Sequence, residues 1–343
     1  MPLILQERVS LKSLHSFGVD AHAAWYARVH TVEELQALYA DPRVAALPRL
    51  ILGGGSNLLF TGDYDGLVVH VALAGWEDLG QVDGARHIRV GAGEPWAPLV
   101  ETLTRGGRPG LENLALIPGS CGAAPIQNIG AYGLELAERL HAVTVWDPAT
   151  AALRDIPAAD CDFAYRHSLF KQPAGAQLVV VSLTLRLPLP WSPVVSYAEL
   201  ARELALRGTE PPTPEDIFEA VCALRRRKLP DPAQIGNAGS FFKNPVVGRQ
   251  KHAELLERFP SLVRYPLAGG RYKLGAGWLI EACGLKGSTR GRAGVFENQA
   301  LVLVNRGGAS GAELLALARE VQDRVREKFG VTLEPEVRIV GAA

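Results

Sequence analysis

The apolar positions of this chain follow two rhythms. Up to residue 207 they come mainly in short, β-branched runs, at residues 49–52, 66–71, 87–90, 141–147 and 178–187. Runs of that length, bounded by glycine, proline and polar residues, predict strands. Helical spacing is rarer there. Residues 31–39 predict a short helix with Thr31 as N-cap and Glu33 and Glu34 in the first turn. Carboxylates there complement the positive end of the helix. Residues 95–106 predict a second helix, opened by Pro95 and followed by glycines. Gly208-Thr-Glu-Pro-Pro-Thr-Pro214 then reads as a linker. Thr213 caps a helix that starts at Pro214, runs to Lys228 and is stopped by Pro230. The last helix begins after Ser310, with Glu313 completing a capping box. Its apolar stripe is Leu314, Ala318, Val321, Val325 and Phe329, and Gly330 ends it. A strand over residues 331–340 should follow. No internal repeat and no long strand–helix alternation occurs, so the pattern predicts an α+β fold rather than a doubly wound sheet.

Composition narrows the function classes. At 343 residues, 48% of them hydrophobic, the chain can bury a large core and suits two or three lobes. A formal charge of zero and a pI near 7.1 give no basic face for nucleic acid. Cys121, Cys161, Cys222 and Cys283 form no Cys-x-x-Cys pair and have no histidines at zinc-ligand spacing. They read as reduced thiols of a cytoplasmic protein, and no metal site is expected. Glu7, Arg8 and Lys12 interrupt any signal-like apolar stretch, and residues 178–187 are too short to span a bilayer.

Several segments could carry chemistry. Asn237-Ala-Gly-Ser-Phe-Phe-Lys-Asn-Pro245 puts a hydroxyl, an ammonium and an amide beside two water-excluding rings. An ordinary turn before a helix would also explain it. Leu333-Glu-Pro-Glu-Val-Arg338 adds two carboxylates and an arginine. Gly53-Gly-Gly-Ser-Asn57 follows a strand, as a phosphate-binding turn would, and a hairpin turn is the alternative. The third glycine of a dinucleotide fingerprint is missing. The charge-poor stretch 117–133, rich in glycine, could wall a flat ring or be a tightly turned core loop. Arg166 could be a surface cation, and Arg225-Arg-Arg-Lys228 mostly complements a helix C-terminus.

Seven blocks in order resemble the UDP-N-acetylenolpyruvoylglucosamine reductase family, a group of flavin enzymes of peptidoglycan synthesis. They are residues 51–60, 111–119, 125–133, 163–166, 228–232, 237–245 and 333–338. The resemblance implies a two-lobed FAD-binding domain of the vanillyl-alcohol-oxidase (PCMH) type over residues 1–212. It also implies a substrate-binding α+β domain over 213–330 and a C-terminal strand, 331–343, returning to the active site. FAD, bound non-covalently, would be held by Gly53, Gly54, Gly55, Ser56, Asn57, Gly119, Gly122, Ile129, Gly130 and Arg338. Ala123 and Ala124 replace hydroxyl residues common in relatives, so flavin contacts there would come from backbone. Tyr132, Tyr197, Lys228, Asn244 and Gln299 would bind the nucleotide-sugar substrate. Tyr197 marks the branch in which a tyrosine loop covers that substrate. Phe296 and Glu297 depart from a more basic pattern and leave Gln299 the less secure.

Ser240, Arg166 and Glu336 would be catalytic. The implied reaction is NADPH-dependent reduction of UDP-N-acetylglucosamine enolpyruvate to UDP-N-acetylmuramate. Hydride adds to the enol ether, Arg166 and a protonated Glu336 stabilise the developing charge, and Ser240 supplies the proton, aided by the nearby lysine or a water. The expected partners are small molecules, with no nucleic acid and no membrane, and the chain is expected to be a monomer. Two rivals are another flavin oxidoreductase of the same fold and a nucleotide-sugar binder without catalysis.

Overall fold

A computed structural model describes residues 3–208 and 210–341. Met1, Pro2, Thr209, Ala342 and Ala343 lie outside the described residues, and with them one residue of the expected linker and the ends of the expected outer segments. The chain divides into two compact units whose segments alternate along the sequence. The first takes residues 3–9, 23–55 and 65–226, the second residues 10–22, 56–64 and 227–341.

Besides a short pairing of Gly130–Ala131 with Leu134–Glu135, the first unit contains two large sheets. One runs in the order Leu5–Ser10, His22–Val29, Tyr64–Val71, Arg49–Leu52, its last two strands parallel. The other is a five-stranded antiparallel sheet in the order Ala152–Pro157, Leu140–Asp147, Val179–Pro188, Ala85–Gly91, Trp76–Val82. Its inward residues Ile88, Val90, Val143, Val145, Leu183 and Leu185 are sealed from solvent. They belong to one core with Trp96, Leu99, Val100 and Leu103 of the helix Trp96–Arg105. Burying each such side chain contributes about 1.5–3 kcal/mol. Trp96 satisfies its indole N–H on the Leu114 carbonyl at 3.1 Å. The helix Pro214–Lys228 adds Ile217, Val221 and Leu224 to the same core.

The second unit holds an antiparallel sheet ordered Gly236–Ser240, Val302–Asn305, Ala293–Val295, Thr289–Arg290. Leu58–Phe60 pairs in parallel with Arg338–Val340, drawing together segments that are 279 residues apart at Asn57 and Glu336. The helix Gly311–Phe329 buries Leu314, Leu317, Ala318, Val321, Val325 and Phe329.

The local capping signals are realised. Thr31 accepts from the Glu34 amide, and Ser310 and Glu313 form the reciprocal capping box. Thr213 accepts from the Asp216 amide at 3.2 Å. Two expectations need correction. Pro95 is the N-cap of its helix rather than its first residue. The strand expected over 331–340 is confined to Arg338–Val340. Pro335 has no N–H for a ladder. It faces Phe242 in an isolated antiparallel bridge, flanked by the Lys243 amide bonding the Glu334 carbonyl and the Glu336 amide bonding the Phe241 carbonyl.

Candidate active site

Gly53, Gly54, Gly55, Gly119, Gly122, Ile129, Gly130, Tyr132, Arg166 and Tyr197 lie in the first unit. The glycine turn packs directly on residues 119–120. A Cβ on Gly54 would lie 2.6 Å from Gly119 Cα, and one on Gly53 would lie 2.3 Å from Ser120 Oγ. The Gly54 amide donates to that hydroxyl at 3.2 Å. Gly122 is equally confined, its Cβ position 2.5 Å from the Ala92 side chain. Gly55, at φ +62°, turns the chain out of the cradle. This close packing leaves no room for a side chain at Gly53 or Gly54.

Like Leu116 and Asp162, Asn128 at φ 43°, Tyr132 at 47° and Arg166 at 54° hold left-handed backbone. Such conformations cost about 1–3 kcal/mol each and gather at functional sites. Asn128 is fully buried and explains how they persist. Its amide nitrogen donates to the Ala164 carbonyl at 3.2 Å and to the Glu135 carboxylate at 2.8 Å, while its oxygen accepts from the Ala137 amide. It thereby ties the 128–137 loop to the bridge Ala164–His167 that carries Arg166. Arg166 donates to the Gly130 carbonyl at 3.3 Å and stacks on Tyr165 with its guanidinium 5.3 Å from the ring centre. Tyr132 and Tyr197 meet edge to face, centroids 5.4 Å apart. The buried amide of Asn113 holds both segments, donating to the carbonyls of Tyr132 at 2.9 Å and Val194 at 2.8 Å.

Arg225 is the residue sequence reasoning passed over. Assigned there to the helix dipole, its Nε is sealed from solvent without a hydrogen-bond partner among the described residues. Burial pulls its pKa down, an effect the nearby Tyr132 phenol opposes. A guanidinium so enclosed demands an acceptor, and an anionic or carbonyl-rich ligand would supply one. The cradle and this orphaned donor fit the cofactor class that the sequence implies. Cys121, the thiol nearest the cradle in sequence, is buried, and desolvation with the Glu94 charge pushes its pKa strongly upward.

Ser56, Asn57, Lys228, Ser240, Asn244, Gln299, Glu336 and Arg338 lie in the second unit. Here the C-terminal segment is central. The Glu336 amide donates to the Phe241 carbonyl at 2.8 Å, which places Glu336 beside the residue that follows Ser240. The Glu336 carbonyl accepts from the Asn57 side chain at 3.1 Å, and the Arg338 amide donates to the Asn57 carbonyl at 3.0 Å. Lys243 pairs with Glu334 at 3.1 Å. Asn244 accepts from the Ala276 amide at 2.9 Å, and the Gln299 amide oxygen lies 2.9 Å from where a Gly277 Cβ would stand. Both predicted substrate ligands therefore flank the start of the helix Ala276–Ala282. Lys228 ends its own helix, apart from that pair in the sequence.

Residues 231–340 match the family described as UDP-N-acetylenolpyruvoylglucosamine reductase, C-terminal domain, and residues 23–155 match an FAD binding domain. The chain is 51% identical to the UDP-N-acetylenolpyruvoylglucosamine reductase of Burkholderia ambifaria over 95% of its own length and 94% of the relative's. The enzyme of the same name from Ralstonia nicotianae is 49% identical, covering 98% of this chain and 99% of that one. The chain belongs to this reductase family. A solved family member from Thermus caldophilus superposes with a TM-score of 0.67 at 27% identity, covering 99% of this chain and all of that one. The expected α+β fold with an FAD-binding domain is thus the family's own. Arg166 lies in the first unit, and Ser240 and Glu336 lie in the second.

Proposed function

We propose that this chain reduces UDP-N-acetylglucosamine enolpyruvate to UDP-N-acetylmuramate with electrons from NADPH, a step in building peptidoglycan precursors, and that Arg166, Glu336 and Ser240 carry it. FAD, when bound, supplies the hydride that reaches the terminal carbon of the enol ether. Gly53, Gly54, Gly55, Ser56, Asn57, Gly119, Gly122, Ile129, Gly130 and Arg338 are the residues proposed to hold it. Hydride addition leaves negative charge on the carbon beside the substrate carboxylate and on the carboxylate oxygens. Arg166, a planar bidentate donor, suits that carboxylate. Glu336, in its protonated form, adds a second donor toward the same charge, and fixed donors of this kind stabilise charge without reorganising. Ser240 gives its hydroxyl proton to the carbon, completing the reduction. Lys243 pairs with the exposed Glu334, a contact weak enough to leave the lysine available near the serine. Tyr132, Tyr197, Lys228, Asn244 and Gln299 bind the nucleotide sugar, with Tyr197 closing over it.

The observation that supports this most is the Glu336–Phe241 backbone hydrogen bond, which sets the carboxylate segment against the serine segment. The cofactor is non-covalent, because the cradle offers no histidine and the Cys121 thiol is held in its neutral form by burial. The protein acts on small molecules, in the cytoplasm and as a monomer. Among the described residues no helix is long and apolar enough to cross a membrane. Purified protein should be yellow, bleach with NADPH under anaerobic conditions and recolour with the enolpyruvyl nucleotide. Acid should release the colour into the supernatant. A colourless preparation, or one that bleaches but ignores the nucleotide, overturns the assignment.

A further inference from the structure

We infer that Asn237 is a positioning residue for Ser240, an inference that rests on the proton-donor role proposed above. Asn237 is only 2% exposed, and its side chain is fully engaged. The amide nitrogen donates to the carbonyls of Pro230 at 3.1 Å and Ile235 at 2.9 Å, and the oxygen accepts from the Gly239 amide at 2.9 Å. That last bond closes a tight turn over Ala238. It holds Gly239 at φ +67°, a conformation open to glycine and costly for other residues.

The turn has a consequence for Ser240. Asn237 pairs with Val304 and Ser240 pairs with Val302, so three steps on one strand face two on the other. The extra residue is a bulge, and a bulge re-aims the side chains that follow it. Strict alternation from Asn237 would place Ser240 on the opposite face of the strand, and the extra residue reverses that assignment. The side chain of Asn237 locks the bulge that sets where the hydroxyl goes. Its other two bonds anchor the turn to Pro230 and Ile235, just beyond Lys228, so the serine is registered against the segment bearing a proposed substrate ligand. Ser16 adds a further brace by accepting from the Asn237 amide at 3.1 Å.

The test separates positioning from general stability. In stopped-flow absorbance, Asn237→Ala should be bleached by NADPH within about twofold of the normal rate. Its recolouring by the enolpyruvyl nucleotide should slow on the order of 10²-fold, the usual cost of displacing a catalytic group by about 1 Å. Substrate affinity should hold. The double variant Asn237→Ala, Ser240→Ala should recolour no more slowly than Ser240→Ala alone, because a residue acting only through the serine adds nothing once it is gone. If Asn237→Ala does not fold, Gly239→Ala strains the same turn, has open space around it, and should show the same split. Equal slowing of both half-reactions, or additive losses in the double variant, would overturn the inference while leaving the serine's role intact. A Ser240→Ala protein that recolours at the normal rate would instead overturn the role on which the inference rests.

Discussion

At Gly54 an added Cβ would lie 2.6 Å from the backbone of Gly119, whereas at Gly239 it would meet nothing within 4 Å. At Gly54 no positive φ is involved; at Gly239 the torsion is +67°. At Gly54 glycine is needed because two backbones must touch, whereas at Gly239, as at Gly55, it is needed because the chain bends left-handed. The same letter in two motifs therefore reports different physics. At Gly54 the constraint is one of space, and a side chain has no room. The serine turn is a matter of torsion and tolerates a residue that can adopt it.

The largest effect should come from the chemistry that the second turn presents. Ser240→Ala should leave bleaching by NADPH near normal and slow recolouring by roughly 10²–10⁴-fold, the span of general acid catalysis. Stopped-flow absorbance reads both steps, and equal effects on the two would erase the distinction between the turns. Next, Gly54→Ala should destabilise by about 1–3 kcal/mol through overpacking and yield protein largely without FAD. Flavin per protein by absorbance checks this, and full flavin loading would show that the cradle can yield. Gly239→Ala should cost only ~1–2 kcal/mol of stability from left-handed strain, with full flavin content, and Gly239→Asn should cost less than alanine. A thermal melt that ranks asparagine below alanine would break the torsional reading. Smallest is Tyr197→Phe, which keeps the ring against Tyr132 and removes one hydroxyl. The apparent substrate affinity should fall by the ~0.5–1.5 kcal/mol of a single hydrogen bond, with NADPH bleaching unchanged. Slowing of both half-reactions would make that loop structural.

What was legible in the sequence was local. Thr31, Thr213 and Ser310 cap helices because a side chain bonds an amide three residues on, and such signals need no tertiary knowledge. The glycine turns were legible as motifs, though not the separate causes that require them. Arg225 was not legible, since whether a helical arginine faces water depends on what packs over it. Asn113 and Asn128 stood in quoted blocks, but their importance lies in carbonyls up to 81 residues away. The strand 331–340 looked continuous by composition, yet Pro335 makes a single isolated bridge to Phe242 and residues 338–340 join a ladder with 58–60. The interleaving of units through residues 10–22 and 56–64 left no compositional mark.

The parallel pairing of Leu58–Phe60 with Arg338–Val340 also imposes an order on synthesis. Residues 56–64 leave the ribosome long before their partners exist. At ~5–20 residues per second, a gap of 279 residues is a wait on the order of 15–55 s. Through that interval Leu59 and Phe60, both sealed in the finished protein, have no native neighbour strand. The first unit can collect most of its core by residue 226, while the second can close only when the chain is nearly complete. A chain cut short before residue 338 would thus leave Leu58–Phe60 without its partner strand and the second unit unfinished.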